Sequence, residues 1–137
     1  MSETPKGFPT LDALVAYTRM IAEKQPDRIY QRINPFAEDA GACVYVEKMP
    51  GGKYMPSCIL GHTLIGLGVE PELLDEELYG DVGSWEIGSV LTRLGYEYED
   101  DDRRVDWLMA VQDRQDRGTT WGRAVFGADV EYDADVD

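Results

Sequence analysis

The sequence predicts a small α+β fold that is mainly α-helical, with a single-layer cluster of helices packed on one two-stranded β-hairpin. Apolar residues recur at helical spacing in several separate segments, and two short runs of β-branched and aromatic residues flank a Pro-Gly turn. Hydrophobic residues make up 43% of the 137 positions, which is enough for one core. We therefore expect a single domain, residues 1–137, with flexible ends at 1–9 and 128–137.

The first helix is expected between Leu11 and Lys24. Thr10 precedes the apolar pattern as an N-cap, and a carboxylate in the first turn suits the helix dipole. The residues at helical spacing are Leu11, Leu14, Val15, Thr18, Ile21 and Ala22. The next segment, residues 27–41, is predicted as a short helix followed by a loop, because a proline interrupts it.

A β-hairpin is predicted next, with strands at Cys43–Glu47 and Lys53–Met55. Between them Pro50-Gly51 suits a tight turn, since proline presets φ at one central position and glycine accepts positive φ at the next. A symmetric two-residue turn sets opposite each other Glu47 and Tyr54, Val46 and Met55, and, continued outward, Cys43 and Cys58. A bulged three-residue loop would shift these pairs by one residue.

The segment after the hairpin predicts an apolar helix from Cys58 to Leu67. Ser57 is the expected N-cap, and Gly68 is expected to end the helix. The helix is apolar nearly all round and carries Gly61 and Gly66. We therefore expect it at the centre of the core, with close backbone contacts on its glycine side.

Four helices are predicted in the second half of the chain. They are a short acidic helix from Glu70 to Tyr79, a helix from Trp85 to Leu94 capped by Ser84, a long helix from Asp101 to Arg117, and a short last helix containing Trp121. One face of the long helix carries Val105, Leu108, Met109 and Gln112. Its outer face carries Asp106, Asp113, Arg114 and Arg117. Residues 127–137 are expected to form an acidic tail.

The net charge of −14 limits the classes of partner. Direct nucleic-acid binding and docking on anionic lipid both need a basic surface, so neither is expected. The charge favours a protein partner with a basic surface, although acidity that serves solubility alone is the alternative. The sequence shows no secretory signal and no apolar span, and its two cysteines are expected as reduced thiols. We therefore expect a cytoplasmic protein and leave homo-oligomerisation open.

The first candidate site comprises Cys43, Cys58 and His62. Cys58 and His62 are four residues apart and share a helix face, and the hairpin brings Cys43 toward them. The three are candidate metal ligands, and Cys58 with His62 is a candidate nucleophile with its base. Neither signal is specific, because zinc-type spacing and an orienting third group are missing. Two buried thiols and a core histidine are the main alternative, and no cofactor is predicted.

Two further sets are candidate ligand or partner contacts. Arg28 and Arg32 would share a helix face and could hold an anionic ligand or nucleotide, unless they neutralise the protein's own carboxylates. The second set combines a helix end with a Gly-Thr-Thr turn and an exposed Trp-Gly, and contains Gln112, Gln115, Asp116, Trp121 and Arg123. The alternative is that Trp121 packs on the core and the glutamines are solvated.

A run of carboxylates precedes the long helix and comprises Glu97, Glu99, Asp100, Asp101 and Asp102. It lacks the glycine and the spacing of an EF-hand loop. We expect a solvated cap on the positive end of the helix, with a partner-facing acidic patch as the alternative. The sequence carries no P-loop, GxGxxG, GxSxG or HExxH motif.

Residues 56–69, PSCILGHTLIGLGV, and residues 111–125, VQDRQDRGTTWGRAV, carry a resemblance. They are similar to segments of small hypothetical proteins of actinobacteria and their phages. The resemblance covers roughly the C-terminal two-thirds of the chain and implies no activity. We expect a non-enzymatic binding protein, such as a phage accessory or inhibitor protein that engages a host protein through an acidic surface. An enzyme or metal-site protein using Cys58 and His62, and a small anionic ligand binder, are the alternatives.

Overall fold

The structure, a computed structural model, describes residues 3–31, 44–74 and 86–134. These ranges contain five α-helices and one antiparallel two-stranded hairpin, which confirms the predicted small α+β class. The elements are α1 (Leu11–Lys24), β1 (Val46–Lys48), β2 (Tyr54–Pro56), α2 (Ile59–Gly66), a 3₁₀ turn (Pro71–Leu74), α3 (Ile87–Leu94), α4 (Arg103–Asp116) and α5 (Trp121–Glu131). None of the helices in these ranges has both the length and the apolarity to cross a bilayer.

The long helix α4 lies at the centre of the fold, because it packs against each of the other four helices. Its residues Trp107, Leu108 and Val111 are buried in the core. Beside it α1 packs on α2, where the buried hydroxyls of Thr18 and Thr63 share a hydrogen bond of 2.7 Å. The core therefore forms around one helix that touches all the others.

Helix α2 packs through its glycine side, as predicted. A Cβ atom placed on Gly61 would lie 1.9 Å from the carbonyl oxygen of Tyr45, so the two backbones meet at van der Waals distance. Ile59, Leu60 and Leu64 of the same helix are buried. This close approach fixes α2 against the strand that leads into the hairpin.

The hairpin is confirmed, but its predicted symmetric register is wrong by one residue. The observed pairs are Val46 with Pro56, Glu47 with Met55, and Lys48 with Tyr54. The Met49 N–H donates to the Lys53 carbonyl at 2.7 Å, so residues 50–52 form a three-residue loop, which is the alternative that the sequence left open. Gly51 and Gly52 both have positive φ. The same register sets Val44 opposite Cys58, and the Cys58 N–H donates to the Val44 carbonyl at 3.1 Å. Cys43 lies outside the described residues.

The predicted N-cap of α2, Ser57, is wrong, because the cap is Cys58. The Ser57 hydroxyl donates to Oε2 of Glu47 in the hairpin at 2.7 Å and does not cap the helix. The Cys58 Sγ instead accepts the Gly61 N–H at 3.4 Å. The helix therefore begins one residue later than predicted.

Several other boundaries differ from the prediction. The N-cap of α3 is Glu86 and not the predicted Ser84, and α4 begins at Arg103 and not at the predicted Asp101. The described part of the predicted acidic helix, Pro71–Leu74, is a 3₁₀ turn.

Helix α1 has its predicted bounds and its predicted cap, Thr10. Residues 28–31 are not helical, so the predicted helix face shared by Arg28 and Arg32 is not formed at Arg28, and Arg32 lies outside the described residues. Helix α5 continues past Gly127 to Glu131, because Ala128 is buried and keeps this turn on the core. The predicted segments at 75–79 and 84–85 also lie outside the described residues.

Candidate functional site

Gln112 is buried within the core-facing side of α4, where its amide bonds at both ends. Its Oε1 accepts the Ile87 N–H at 2.7 Å, and its Nε2 donates to the Tyr45 hydroxyl at 2.7 Å. Ile87 is the first residue of α3, whose N-cap Glu86 makes no side-chain capping bond. The glutamine therefore supplies an acceptor to a helix N-terminus that would otherwise lack one.

Gln115 performs the same task for α2 and is 1% exposed. Its Oε1 accepts the N–H of Ile59, the first residue of that helix, at 2.8 Å. Its Nε2 donates to Oδ1 of Asp116 at 2.8 Å. Neither glutamine is solvated, because both side-chain amides are hydrogen-bonded inside the protein. Among Gln112, Gln115 and Asp116, only Asp116 is exposed to solvent.

Trp121 is 0% exposed, so the prediction of an exposed Trp-Gly is wrong. The guanidinium carbon of Arg28 lies 4.4 Å from the centroid of the Trp121 ring, a cation–π arrangement. The backbone N–H of Trp121 also donates to the Arg28 carbonyl at 2.8 Å, and the backbone N–H of Gly122 donates to the Pro26 carbonyl at 2.9 Å. The segment after α1 thus covers the first turn of α5, while Arg123 points to solvent.

His62 packs against Trp121, with their ring centroids 5.5 Å apart and an interplanar angle of 66°. Burial, together with the positive charge of Arg28, lowers the pKa of His62 to about 4, so the imidazole is neutral at pH 7. Its Nε2 is buried and has no hydrogen-bond partner in the described part of the chain. Cys58 is fully buried, and its Sγ accepts a hydrogen bond from the Gly61 N–H. No group of three or more His, Cys, Asp and Glu side chains within residues 3–31, 44–74 and 86–134 is arranged to hold a metal ion.

The predicted acidic run forms the approach to α4. Asp102 is the N-cap of α4, and its carboxylate accepts the backbone N–H groups of Arg104 and Val105. Burial opposes the charged form of Asp102, but the hydrogen bonds from the Arg104 side chain and backbone outweigh it and lower the pKa of the carboxyl. The other members of the run are exposed, and these are Glu97, Glu99, Asp100 and Asp101.

A cleft of about 470 Å³ lies along α4, between it and the C-terminal end of α5 and beside the start of α3. Five carboxylate residues line it, and these are Glu86, Asp106, Asp113, Asp116 and Glu131. Apolar atoms come from Met109, Ala110 and Tyr132. None of the described lining residues is basic. The cleft brings together two of the predicted site residues, Gln112 and Asp116, and is not lined by Gln115, Trp121 or Arg123.

Asp106 is the half-buried carboxylate of the acidic cleft. Burial raises its pKa, and the negative charges of Asp102 and Asp101 raise it further. Its side chain makes no ion pair or hydrogen bond within the described residues. A cation placed beside Asp106 would relieve this unfavourable potential.

The other cleft carboxylates differ in how they are neutralised. Asp113 pairs with Arg117 at 3.1 Å, and Glu131 pairs with Arg114 at 3.0 Å. Both pairs are exposed to solvent and so hold their carboxylates weakly. Glu86 makes no ion pair in the described part of the chain, so the cleft keeps a surplus of negative charge.

Sequence reasoning missed part of this site. Along α4 the cleft residues are three or four positions apart, which is the signal that could have identified one stripe, Asp106, Met109, Asp113 and Asp116. Asp106 and Asp113 were placed on the outer face but not assigned to a site. Glu86, Glu131 and Tyr132 come from other elements and carry no local signal.

Comparison of the chain with protein-family models, with curated proteins and with solved structures finds no match. The resemblance at residues 56–69 and 111–125 therefore stays a prediction.

Proposed function

We propose that this protein is a non-enzymatic binding protein that engages a basic surface of a partner protein through the acidic cleft. The observation that supports the proposal is the cleft itself. Five carboxylate residues surround a small apolar lining, and none of the described residues that line it is basic. Lysine and arginine side chains match this chemistry, because their apolar stems pack on Met109 or Tyr132 while their charged ends meet carboxylates.

The size and charge of the cleft favour protein side chains over a bare metal ion. Its volume of about 470 Å³ falls within the range of pockets that hold organic groups of several atoms. Its carboxylates are spread over three elements, and the described residues do not converge on a single metal-binding point. The net charge of −14 would also speed the approach of a basic partner.

The catalytic alternative receives less support from the geometry. Cys58 is fully buried and serves as the N-cap of α2. His62 is neutral at pH 7, but its buried Nε2 bonds to no described group, so it is not hydrogen-bonded to the thiol through that atom. A nucleophile and its base need such a bond and access to a substrate.

The proposal is tested by affinity capture with a matched pair of double variants. Asp106→Asn with Asp113→Asn removes two charges from the cleft, and Glu70→Gln with Glu72→Gln removes two from exposed positions elsewhere. A bacterial protein retained by the wild type and by the Glu70/Glu72 variant should be lost from the Asp106/Asp113 variant, and its retention should fall with added salt. If both double variants retain the same proteins to the same extent, the cleft is not the binding surface.

A further inference from the structure

The outer face of α5 carries two large apolar side chains that the fold leaves in water. Phe126 is 70% exposed and Val130 is 74% exposed. They are four residues apart on one helix, so they lie one above the other and form a continuous apolar strip. The other exposed large hydrophobic residues of the described chain, Ile29 and Met55, are 48% and 37% exposed and lie on separate elements.

The Phe126–Val130 strip lies on the helix that supplies one wall of the acidic cleft. Glu131, which lines the cleft, directly follows Val130 on α5. Arg114 of α4 packs against the backbone of α5, since a Cβ atom on Gly127 would lie 2.7 Å from Arg114 Nε, and its guanidinium pairs with Glu131 at 3.0 Å. Helix α5 therefore carries both the apolar strip and, at the next residue, a carboxylate of the cleft.

Charge decides which partner fits this surface. A second copy of the chain would add another net charge of −14, and the repulsion between the two acidic chains opposes their association. A basic segment makes favourable contacts with both the strip and the cleft, because its apolar residues cover the strip while its Lys or Arg side chains enter the cleft. A helix offers both, since it carries apolar and basic residues as parallel stripes along its length.

We infer that α5 and the cleft together bind a basic amphipathic helix, whose apolar stripe packs on Phe126 and Val130. This inference rests on the proposed function, because it assumes that the cleft accepts basic side chains. It adds the kind of partner and a second, uncharged contact. It also assigns Phe126 and Val130 a role that the folded core does not require, since both side chains face solvent.

The test uses two fluorescein-labelled peptides of identical composition, built from Leu, Ala, Lys and Arg. One places its leucines at helical spacing, and the other has the same residues in an order that breaks the apolar stripe. Binding is measured by fluorescence anisotropy at low and at physiological salt. The wild type should bind the amphipathic peptide at least tenfold more tightly than the rearranged one.

Two sets of variants separate the apolar contact from the charged one. Phe126→Ser with Val130→Thr should lower the affinity for the amphipathic peptide at least fivefold and leave the affinity for the rearranged peptide unchanged. The control Ile29→Thr, at another exposed position, should change neither affinity. Asp106→Asn with Asp113→Asn should weaken both peptides, and Glu70→Gln with Glu72→Gln should weaken them less.

The outcomes distinguish the two proposals. If the wild type does not discriminate between the peptides, or if the Phe126/Val130 variant binds like the wild type, the amphipathic-helix inference is wrong while cleft binding stands. If the Asp106/Asp113 variant binds both peptides like the wild type, the proposed function itself fails. A dimer of the wild type in sedimentation that the Phe126/Val130 variant loses would assign the strip to self-association and overturn the inference.

Discussion

Replacing Gln115 by methionine should destabilise the protein by about 2 kcal/mol, although the two side chains are similar in size. Gln115 Oε1 accepts the Ile59 N–H at 2.8 Å, and the two residues are 1% and 0% exposed. Methionine provides no comparable acceptor, and water does not reach the site. The buried N–H would then keep its desolvation penalty of about 1–3 kcal/mol. The lost bond to Asp116 adds little, because that carboxylate is exposed and finds water instead.

The loss is measured by urea unfolding followed by far-UV circular dichroism. In thermal unfolding, the same loss of about 2 kcal/mol should lower Tm by roughly 6–10 °C for a domain of this size. Gln31→Met is the matched control, because Gln31 is exposed, and its free energy of unfolding should stay within about 0.5 kcal/mol of the wild type. If Gln115→Met and Gln31→Met have the same stability, the Ile59 N–H does not depend on Gln115.

A second substitution, Gln115→Glu, tests whether the acceptor is the important group. The carboxylate can still accept the Ile59 N–H, but it is buried beside Asp116, so its folded pKa would be raised above the unfolded value of about 4.3. A raised folded pKa gives stability that is present at low pH and lost as the pH rises through it. The variant should therefore approach wild-type stability near pH 4 and lose it toward pH 7.

Three further predictions concern single residues. As the pH falls from about 6.5 to about 4, the wild type should lose up to about 2 kcal/mol of unfolding free energy relative to His62→Gln, a value that allows for the partial exposure of His62. The reason is that His62 binds a proton at a higher pH in the unfolded chain than in the folded one. Urea titrations at a series of pH values measure this loss. Gly61→Ala should prevent cooperative folding, since its methyl group would lie 1.9 Å from the Tyr45 oxygen, and a wild-type melt would contradict this. Asp129→Ala should cost about 1–2 kcal/mol in chemical unfolding and Asp129→Asn less, because the Trp107 Nε1–H donates to Asp129 at 2.8 Å.

Local signals in the sequence predicted most of the helices. The N-cap Thr10 and the terminating glycine Gly68 act within a few residues, so their effect does not depend on the rest of the fold. The hairpin was also predictable, but its register was not. Register depends on whether the loop has two residues or three, and the adjacent glycines Gly51 and Gly52 permit both lengths.

The roles of the buried glutamines could not be read from local patterns. Helical spacing placed Gln112 on the apolar face of α4, which is where it lies. Its partners Ile87 and Tyr45 are 25 and 67 residues away, and the partner of Gln115, Ile59, is 56 residues away. No short-range periodicity reports such pairs. The same limit explains why Glu86, Glu131 and Tyr132, which come from other elements, could not be assigned to the cleft from the sequence.

The two sides of α4 serve different purposes, and Gln112 and Asp116 belong to both, since each lines the cleft and takes part in the buried amide bonds. The inner side holds the N-termini of α2 and α3 through Gln115 and Gln112, while the outer side lines the cleft. Asp116 lines the cleft and accepts the Gln115 amide at 2.8 Å. A cation bound at Asp116 would compete for the same carboxylate, so changing this residue would alter folding and binding together. Asp106 and Asp113 have no such bond to a buried amide, which is why loss of binding in their variants can be attributed to the cleft.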